Sequence, residues 1–379
     1  MFEFGQVTKE IIDILLPFIL IPCSKPIPIP LIEQLYRSPH FTPGYHPGKD
    51  LFQRLLLILI TGLILNLPAR SQFVIDSSYI KGFEKTNDVE VYTGITKTSF
   101  RFRKLTNDNF ISQHKLFANT SAYAGVTLDY NWLSVSYSKN IPNTSVAKQT
   151  TSIKAFGIHL RKSHEKFLFE VGTDKYKGLI LKINPRHGEY EYYDDINYRS
   201  YFTRITYVFN AERFSTKAAR SFSLLQAKSA GSFMVSISPF FQRFTLKGGF
   251  NEYEKNDSVF LTEISKKPSS VNLIVTGGYT YNFVFNEGEW SINPAIFMGP
   301  AIQKNLYPDH GRSLKLIAHY QLVLNGGYNG RQYYFHVNAN YSKMNSNLMN
   351  SKMSINDRGV SLTIGYRMGK LKNKIFGVL

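Results

Sequence analysis

Four polar residues of this chain could do chemistry if the fold brought them together: Asp129, His319, His336 and Arg367. A Ser/His/acid hydrolase needs a nucleophile, a base and an acid within hydrogen-bond reach of one another. The sequence has no Gly-x-Ser-x-Gly turn to present such a serine, and His164-Glu165 lacks the second histidine of a zinc-binding His-Glu-x-x-His motif. We therefore predict no catalytic residue, no metal site and no cofactor, and the sequence favours a protein that is not an enzyme.

The spacing of the two histidines supports this interpretation. Asn329-Gly330 lies between them and favours a two-residue type I′ turn, because both of its positions accept a positive φ. Such a turn places Tyr328 opposite Arg331 and leaves His319 and His336 about four residues apart along the hairpin, roughly 13 Å at about 3.3 Å per residue. That separation is too large for a shared metal ion.

A basic connection over residues 211–231 is the second candidate site. It carries four basic residues and one acid, and Ser215 is suited to cap a short helix after it. Loops beyond about 12–15 residues in a compact domain are usually functional or disordered. One interpretation is that the segment folds into or caps the interior and holds an anionic partner or interior carboxylates; the other is a long surface turn. The candidate ligand or plug residues are Arg213, Ser215, Gln226, Lys228, Ser229 and Gly231.

Alternating apolar and polar residues predict the elements that position these side chains. Within residues 314–368 three segments each present one apolar and one polar face, because successive side chains of a strand point to opposite sides. His319, His336 and Arg367 fall on the polar faces. The same pattern predicts strands near 89–104, 116–130, 132–139, 153–162, 166–175, 199–210, 232–243, 271–285 and 290–303, with three more in 314–368.

The connections between these strands indicate how the sheet closes. Those at one end are short, at residues 131, 163–165, 286–289 and 329–330. Those at the other end are long: 105–115, 140–152, 177–198, 244–270, 304–313 and 345–357. This alternation with an even strand count is typical of outer-membrane barrels, and closure leaves no exposed edge. We predict an all-β fold, a closed antiparallel transmembrane β-barrel of about 12 strands, within roughly 10–14, with a polar lumen.

The first 71 residues differ from the rest of the chain. Residues 1–48 are rich in proline, and we interpret them as a non-native or disordered extension upstream of a true start near Leu51. Residues 49–71 show the basic, apolar and small-residue order of a secretory signal peptide. We therefore predict export, and a barrel domain over residues 72–379 in the outer membrane of a Gram-negative type envelope.

Composition limits the expected partners. The chain has 45 Lys+Arg against 27 Asp+Glu, but the basic residues are scattered and no nucleic-acid-binding motif is present. We therefore expect no nucleic acid partner. Its single cysteine, Cys23, cannot form a disulfide framework. The expected partners are outer-membrane lipid, lipopolysaccharide and the barrel-assembly machinery. The sequence does not identify a small solute or glycan ligand.

Three motifs resemble a known family: Asp76-Ser77-Ser78-Tyr79-Ile80, Arg213-Phe214-Ser215 with Gln226-Ala227-Lys228-Ser229-Ala230-Gly231, and Gly299-Pro300-Ala301-Ile302-Gln303. Together they resemble the domain-of-unknown-function 4421 family, uncharacterised outer-membrane barrels of Bacteroidota. The resemblance covers roughly Phe73 to the C-terminus. It implies a barrel fold and an outer-membrane location, and it implies no activity. Unlike most outer-membrane barrels, which end on an aromatic-terminated strand, the chain continues in a basic tail, residues 370–379.

Three functions fit these predictions. The favoured ones are a passive pore or transport barrel, indicated by the polar strand faces, and an envelope-structural barrel whose long loops meet external partners. The alternative is an outer-membrane enzyme that modifies lipid or glycan with lumen-facing polar residues. The missing catalytic motifs disfavour the enzyme.

Overall fold

A computed structural model describes residues 74–106, 109–130, 133–145, 154–164, 166–184, 189–246, 264–307, 314–348 and 351–369. The predicted N-terminal extension and signal peptide lie outside these residues. No helix within the described ranges is long and apolar enough to cross a membrane. The strands are β1 (Ile80–Lys81), β2 (Asn87–Thr106), β3 (Asn109–Ala118), β4 (Ala122–Tyr130), β5 (Leu133–Asn140), β6 (Lys154–His164), β7 (Phe167–Asn184), β8 (Glu189–Val208), β9 (Leu225–Gln226), β10 (Ala230–Leu246), β11 (Ser269–Phe285), β12 (Trp290–Tyr307), β13 (Lys315–Asn329), β14 (Tyr333–Leu348) and β15 (Ser351–Met368). A helix, α1 (Thr216–Arg220), lies between β8 and β9, and a 3-10 turn (Asn286–Gly288) joins β11 to β12.

Ten strands pair into a closed antiparallel ring, which confirms the predicted barrel. Around the ring they run β2, β3, β7, β8, β10, β11, β12, β13, β14 and β15, and β15 pairs with β2 to close it. Three further strands join the same sheet: β4 and β5 continue from β2, and β6 pairs with β7. The predicted strand near 116–130 is two strands, because the chain leaves β2 after β3 and pairs with a different part of it in β4.

Alternation sorts side chains between the outside and the lumen as predicted. Leu316 is 76% exposed and Val360 56%, whereas His319 and His336 on the opposite faces are buried. Neighbouring strands repeat the pattern and together give the barrel an apolar outer band, which includes Val91, Ile95, Val126, Phe233, Tyr279, Ile296, Leu322, Leu324, Phe335, Leu362 and Ile364. A closed ring has no unpaired edge strand, which is what allows a sheet to lie in a bilayer.

Three of the predicted long loops are mostly strand instead. Residues 105–115 form much of the β2–β3 hairpin, residues 177–198 the β7–β8 hairpin, and residues 345–357 the β14–β15 hairpin. β2 and β8 have 20 residues each, about twice the 9–11 that cross a bilayer. Their polar residues suggested loops, but a strand that projects beyond lipid can carry polar side chains on both faces. The other predicted loops, 140–152, 244–270 and 304–313, fall largely outside the described residues.

The predicted two-residue turn at Asn329-Gly330 is wrong. Asn329 pairs with Tyr334, so the ladder register is shifted by four from the predicted one. Neither Asn329 nor Gly330 adopts a positive φ, whereas two consecutive residues of the β11–β12 turn do, Asn286 (48°) and Glu287 (57°). The physical reason is that the Asn329 side chain forms hydrogen bonds inside the barrel, with the Leu224 carbonyl and the Arg367 guanidinium.

The corrected register moves the two histidines further apart. His336 lies opposite Gly327, and His319 lies opposite Met344. They are therefore separated by eight residues along the β13–β14 ladder rather than four, or roughly 26 Å. At this separation the two histidines cannot bind the same metal ion.

Candidate functional site: a plugged lumen

The connection between β8 and β10 folds into one end of the lumen. We call residues 211–229 the plug segment. The end of the barrel that it occupies also contains the β11–β12 and β13–β14 turns, and we call it the turn end. Four side chains of the plug segment are at most 2% exposed: Phe214, Ala218, Ala219 and Phe222. Asn325 of β13 donates a hydrogen bond to the carbonyl of Ala219 (2.6 Å). The segment is therefore held by the inner wall rather than lying on the surface.

Local hydrogen bonds shape the plug segment. The Ser215 hydroxyl accepts from the backbone N–H of Ala218 (3.2 Å) and caps α1, as predicted. Gln226 is 1% exposed, and its side-chain oxygen accepts from the backbone N–H of Ser215 (3.1 Å). Its amide nitrogen donates to the carbonyls of Arg213 (2.6 Å) and Lys228 (3.0 Å). With a further bond to the Tyr79 carbonyl (3.3 Å), the Gln226 amide is fully used in holding the plug segment and is not available to a ligand.

Arg367 is one of the residues that join the plug segment to the wall. It is 1% exposed, and its guanidinium donates to the carbonyls of Phe222 and Gly330 and to Oδ1 of Asn329 (2.5 Å). The Asn329 amide in turn donates to the Leu224 carbonyl (2.9 Å). A planar fork of donors suits three acceptors at fixed directions, which explains why an arginine occupies this position.

Aromatic rings enclose the same guanidinium. The Arg367 Cζ lies 3.7 Å from the ring centroid of Phe83 and 4.4 Å from that of Tyr334. Phe222 packs its own ring 5.0 Å from that of His336 and holds a left-handed backbone, with φ of 55°. A left-handed non-glycine residue costs on the order of 1–3 kcal/mol. Burial of the ring and the bond from Arg367 to its carbonyl offset that cost.

The segment before β2 completes the closure. β1 pairs with β9 of the plug segment, and the Asp76 carboxylate accepts from the backbone N–H (3.0 Å) and hydroxyl (2.7 Å) of Ser78. These bonds lower the pKa of Asp76, with a smaller contribution from Arg213, whose Nε is 3.7 Å from the carboxylate. Arg213 and Lys228 both lie over the ring of Tyr79, each at 5.3 Å. These two exposed cations face the N-terminal segment instead of the lumen carboxylates.

Ser229 and Gly231 attach the plug segment to β10 and β11. The Ser229 hydroxyl accepts from the backbone N–H of Val284 (3.0 Å). A Cβ at Gly231 would come within 2.7 Å of the Thr280 carbonyl oxygen, so the close approach of the two backbones leaves no space for a side chain. All six candidate residues therefore make contacts that shape or attach the plug segment; their role in ligand binding stays a prediction.

Acidic groups gather on the inner wall beside this closure. Asp129 lies opposite Asp88 in the β2–β4 ladder, and a carboxylate oxygen from each, with one from Glu90, lies within 4.8 Å of the others. Tyr334 donates its hydroxyl to Glu90 (2.9 Å), and Arg367 lies opposite Asp88 in the β2–β15 ladder. A cation and a phenol beside three carboxylates reduce their mutual repulsion.

The next layer of the lumen contains His319. It lines a cavity of about 20 Å³, room for about one water molecule, together with the Glu170–Arg204 ion pair (3.4 Å) and Arg220 of α1. His336 does not line this cavity, and its Nδ1 lies 3.2 Å from Oδ1 of Asn325. Because the two histidines and Asp129 occupy separate places, the geometry brings no nucleophile, base and acid together among these candidates.

Beyond this layer a cluster of buried apolar side chains spans the lumen. We call it the lumenal core. Phe100, Tyr198 and Phe244 form its centre, with ring centroids 4.7–5.4 Å apart. Every strand of the ten-strand ring contributes at least one residue: Phe100, Leu116, Leu179, Tyr198, Phe244, Ile274, Ala301, Ile317, Met344 and Ile355. The interior of a barrel this narrow can be filled by side chains.

Hydrogen bonds also cross the lumen. Gln242 of β10 donates to the hydroxyl of Ser346 on β14 (2.9 Å), although three strands separate them around the wall. Gln303 of β12 accepts from the same hydroxyl (3.1 Å) and donates to the Asn347 carbonyl (2.7 Å). Side chains from opposite walls can bond directly only where no water-filled channel lies between them.

Sequence reasoning missed several residues of this closure. Asn325, Asn329 and Tyr334 carry it with Arg367, and Phe83 and Phe222 enclose it. Alternation placed Asn325 on the polar face of its strand, which was the available signal, whereas Asn329 was predicted to lie in the turn. It could not show that a separate segment would supply carbonyl partners for them.

Comparison with known proteins places the chain in a family. The profile described as "Domain of unknown function (DUF4421)" matches residues 74–368. The chain belongs to the DUF4421 family. The match covers the whole ten-strand ring, including the three motifs seen in the sequence. Compared with curated proteins, the DUF4421 chain has no match.

Solved structures with low identity to the chain include an outer membrane protease and two autotransporter domains. The outer membrane protease OmpT from Escherichia coli is 9% identical, with a TM-score of 0.36, and the match covers 74% of this DUF4421 chain and 96% of the protease. The translocator domain of the autotransporter NalP from Neisseria meningitidis is 10% identical, with a TM-score of 0.31 and coverages of 85% and 96%. The beta domain of the Bordetella autotransporter BrkA is 8% identical, with a TM-score of 0.33 and coverages of 73% and 100%.

Proposed function

We propose that this protein is a closed, envelope-structural barrel of the outer membrane rather than a passive pore. The observation that carries the proposal is the lumenal core, to which all ten ring strands contribute. A conducting barrel needs a continuous hydrated path, as in porins of 16–18 strands. Here the plug segment occupies the turn end and the lumenal core fills the next part of the interior, so two barriers stand in series.

A closed lumen shifts the functional surface to the outside of the barrel. The β2–β3, β7–β8 and β14–β15 hairpins extend the sheet well beyond the length that lipid requires. A barrel filled by an apolar core is stiff, because tightly packed interiors resist deformation. The protein then acts as a rigid mount that holds these hairpins and the adjoining loops at the cell surface, where they meet external partners.

Planar-bilayer recording of the purified full chain tests this proposal. We expect no steady conductance above that of protein-free bilayers, with a large porin reconstituted in parallel as the positive control. Heat-modifiable gel mobility, recorded on the same sample, shows that the barrel is folded. Steady, ohmic single-channel steps from the folded wild-type protein would contradict the proposal and support a pore.

A further inference from the structure

An outward-facing basic cluster adjoins the apolar band on the outer wall. Its five cations lie on β2, β3, β14 and β15 and line a surface cavity of about 200 Å³: Lys97, Arg101, Lys115, Lys343 and Arg358. The remaining lining residues are Ser99, Phe117, Tyr341 and Asn356, so the lining described here includes no carboxylate. Two positions before Lys97 and two after Arg358, on the same outer faces, Ile95 and Val360 are 63% and 56% exposed. The cluster therefore begins where the apolar band ends.

The strand register sets like charges directly against each other in this cluster. Lys97 lies opposite Arg358, and Arg101 lies opposite Lys115. Like charges at directly opposed positions of a sheet destabilise it. An anion bound between the strands offsets this repulsion, because it attracts both cations of each pair.

Aromatic rings hold several of these cations in place. The Nζ atoms of Lys97 and Lys115 lie 5.3 Å and 5.0 Å from the ring centroid of Phe117, and Cζ of Arg358 lies 5.3 Å from that of Tyr341. Side chains already fixed by such contacts lose less conformational entropy when an anion binds. The cluster is thus arranged for a ligand rather than being a set of freely moving surface lysines.

An apolar groove leads away from the cluster along a row of outward residues. In successive ladders Lys97 pairs with Arg358, Arg358 with Tyr341, Tyr341 with Leu322, Leu322 with Ile296, and Ile296 with Tyr279. These six residues line one open groove of about 1180 Å³. At about 4.8 Å between strands the row is roughly 24 Å long, cationic at one end and apolar along the rest.

We propose that the basic cluster binds the phosphate groups of lipopolysaccharide, with an acyl chain in the adjoining groove. The cluster lies away from the turn end, and short turns mark the periplasmic side of outer-membrane barrels, so it faces the outer leaflet. Arginine and lysine are the side chains that bind phosphate, and here they meet an apolar groove that suits the same molecule's acyl chains. Binding at this site involves only the outer wall and does not depend on whether the lumen conducts.

Binding of purified lipid A to the full chain in detergent tests the assignment. The variant is the triple substitution Lys97→Gln, Lys343→Gln and Arg358→Gln. The matched control removes three exposed cations at the turn end: Lys81→Gln, Lys85→Gln and Lys217→Gln. Native mass spectrometry gives the lipid A affinity of each protein, and heat-modifiable mobility shows that each is folded. Dephosphorylated lipid A and phosphatidylglycerol serve as comparison ligands for the wild-type protein.

We expect the cluster variant to bind lipid A at least tenfold more weakly than wild type, and the turn-end control to stay within twofold. Dephosphorylated lipid A and phosphatidylglycerol should bind wild type at least tenfold more weakly than lipid A. If the triple variant does not fold, Lys343→Gln alone and the weakening of wild-type binding by salt take its place. Equal binding by the folded variant and wild type, salt-independent binding, or tighter binding of phosphatidylglycerol than of lipid A overturns the assignment.

Discussion

Arg367 shows how one buried side chain can hold the plug segment against the wall of the barrel. Its guanidinium bonds to Phe222 of the plug segment and to Asn329 and Gly330 of the wall. Arg367→Lys keeps the charge but loses the planar fork, so most of these acceptors lose their donor. We expect the free energy of unfolding to fall by about 2–3 kcal/mol, measured by urea titration in detergent.

A neighbouring arginine provides the control for that change. Arg331 is exposed in the connection between β13 and β14, next to Gly330. Arg331→Lys should change the free energy of unfolding by no more than about 0.5 kcal/mol. If the two substitutions have the same effect, Arg367 does not hold the plug segment in the way its contacts indicate.

Asp76 gives a pH-dependent test at the same scale. Ser78 lowers the pKa of Asp76 below its ordinary value of 3.8, so the folded state favours the ionised carboxylate. Its stabilising contribution is therefore complete above about pH 5 and is lost as the pH falls through the lowered pKa. Asp76→Asn should accelerate amide hydrogen exchange of the β1 residues at pH 7, and the difference from wild type should shrink towards pH 3. A difference that is constant from pH 7 to pH 3 would show that the carboxylate charge is not responsible.

Individual elements differ in how far the sequence determines them. The outward and inward faces of β13, β14 and β15 follow from alternation, because lipid and lumen select different side chains. The conformation of the turn at Asn329 does not follow from the local sequence. Local propensity favours a type I′ turn, but buried contacts to Leu224 and Arg367 hold Asn329 in another conformation. The length of the 211–231 connection indicated something unusual, but its position inside the barrel depends on partners distant in sequence.

The plug segment can be tested as an element without touching the strands. Replacing residues 216–224 with a Gly/Ser linker of equal length removes α1 and Phe222, while Ser215 and Gln226 remain. We expect the barrel to keep its heat-modifiable mobility, because the ten-strand ring pairs without these residues. Limited proteolysis should become faster at the linker than at the same residues of wild type. A variant that fails to fold would show that the segment is needed to form the barrel and not only to close it.

At the scale of the whole molecule, two barriers in series predict a specific pattern of conductance. A path through the barrel conducts only when every constriction along it is open. The linker variant should therefore remain closed, because the lumenal core still contains Phe100 and Phe244. Phe100→Ala with Phe244→Ala should remain closed as well, because the plug segment is intact.

Only the combination of the linker with both alanine substitutions should give steady conductance. Each Phe→Ala change costs about 3–5 kcal/mol, so folding of the combined variant must be shown by heat-modifiable mobility before recording. Conductance in the linker variant alone would mean that the lumenal core does not seal the barrel. A folded but silent combined variant would mean that the polar layer bridged by Gln242 and Ser346 is itself a barrier. The four recordings thus locate the closure along the lumen rather than only detecting it.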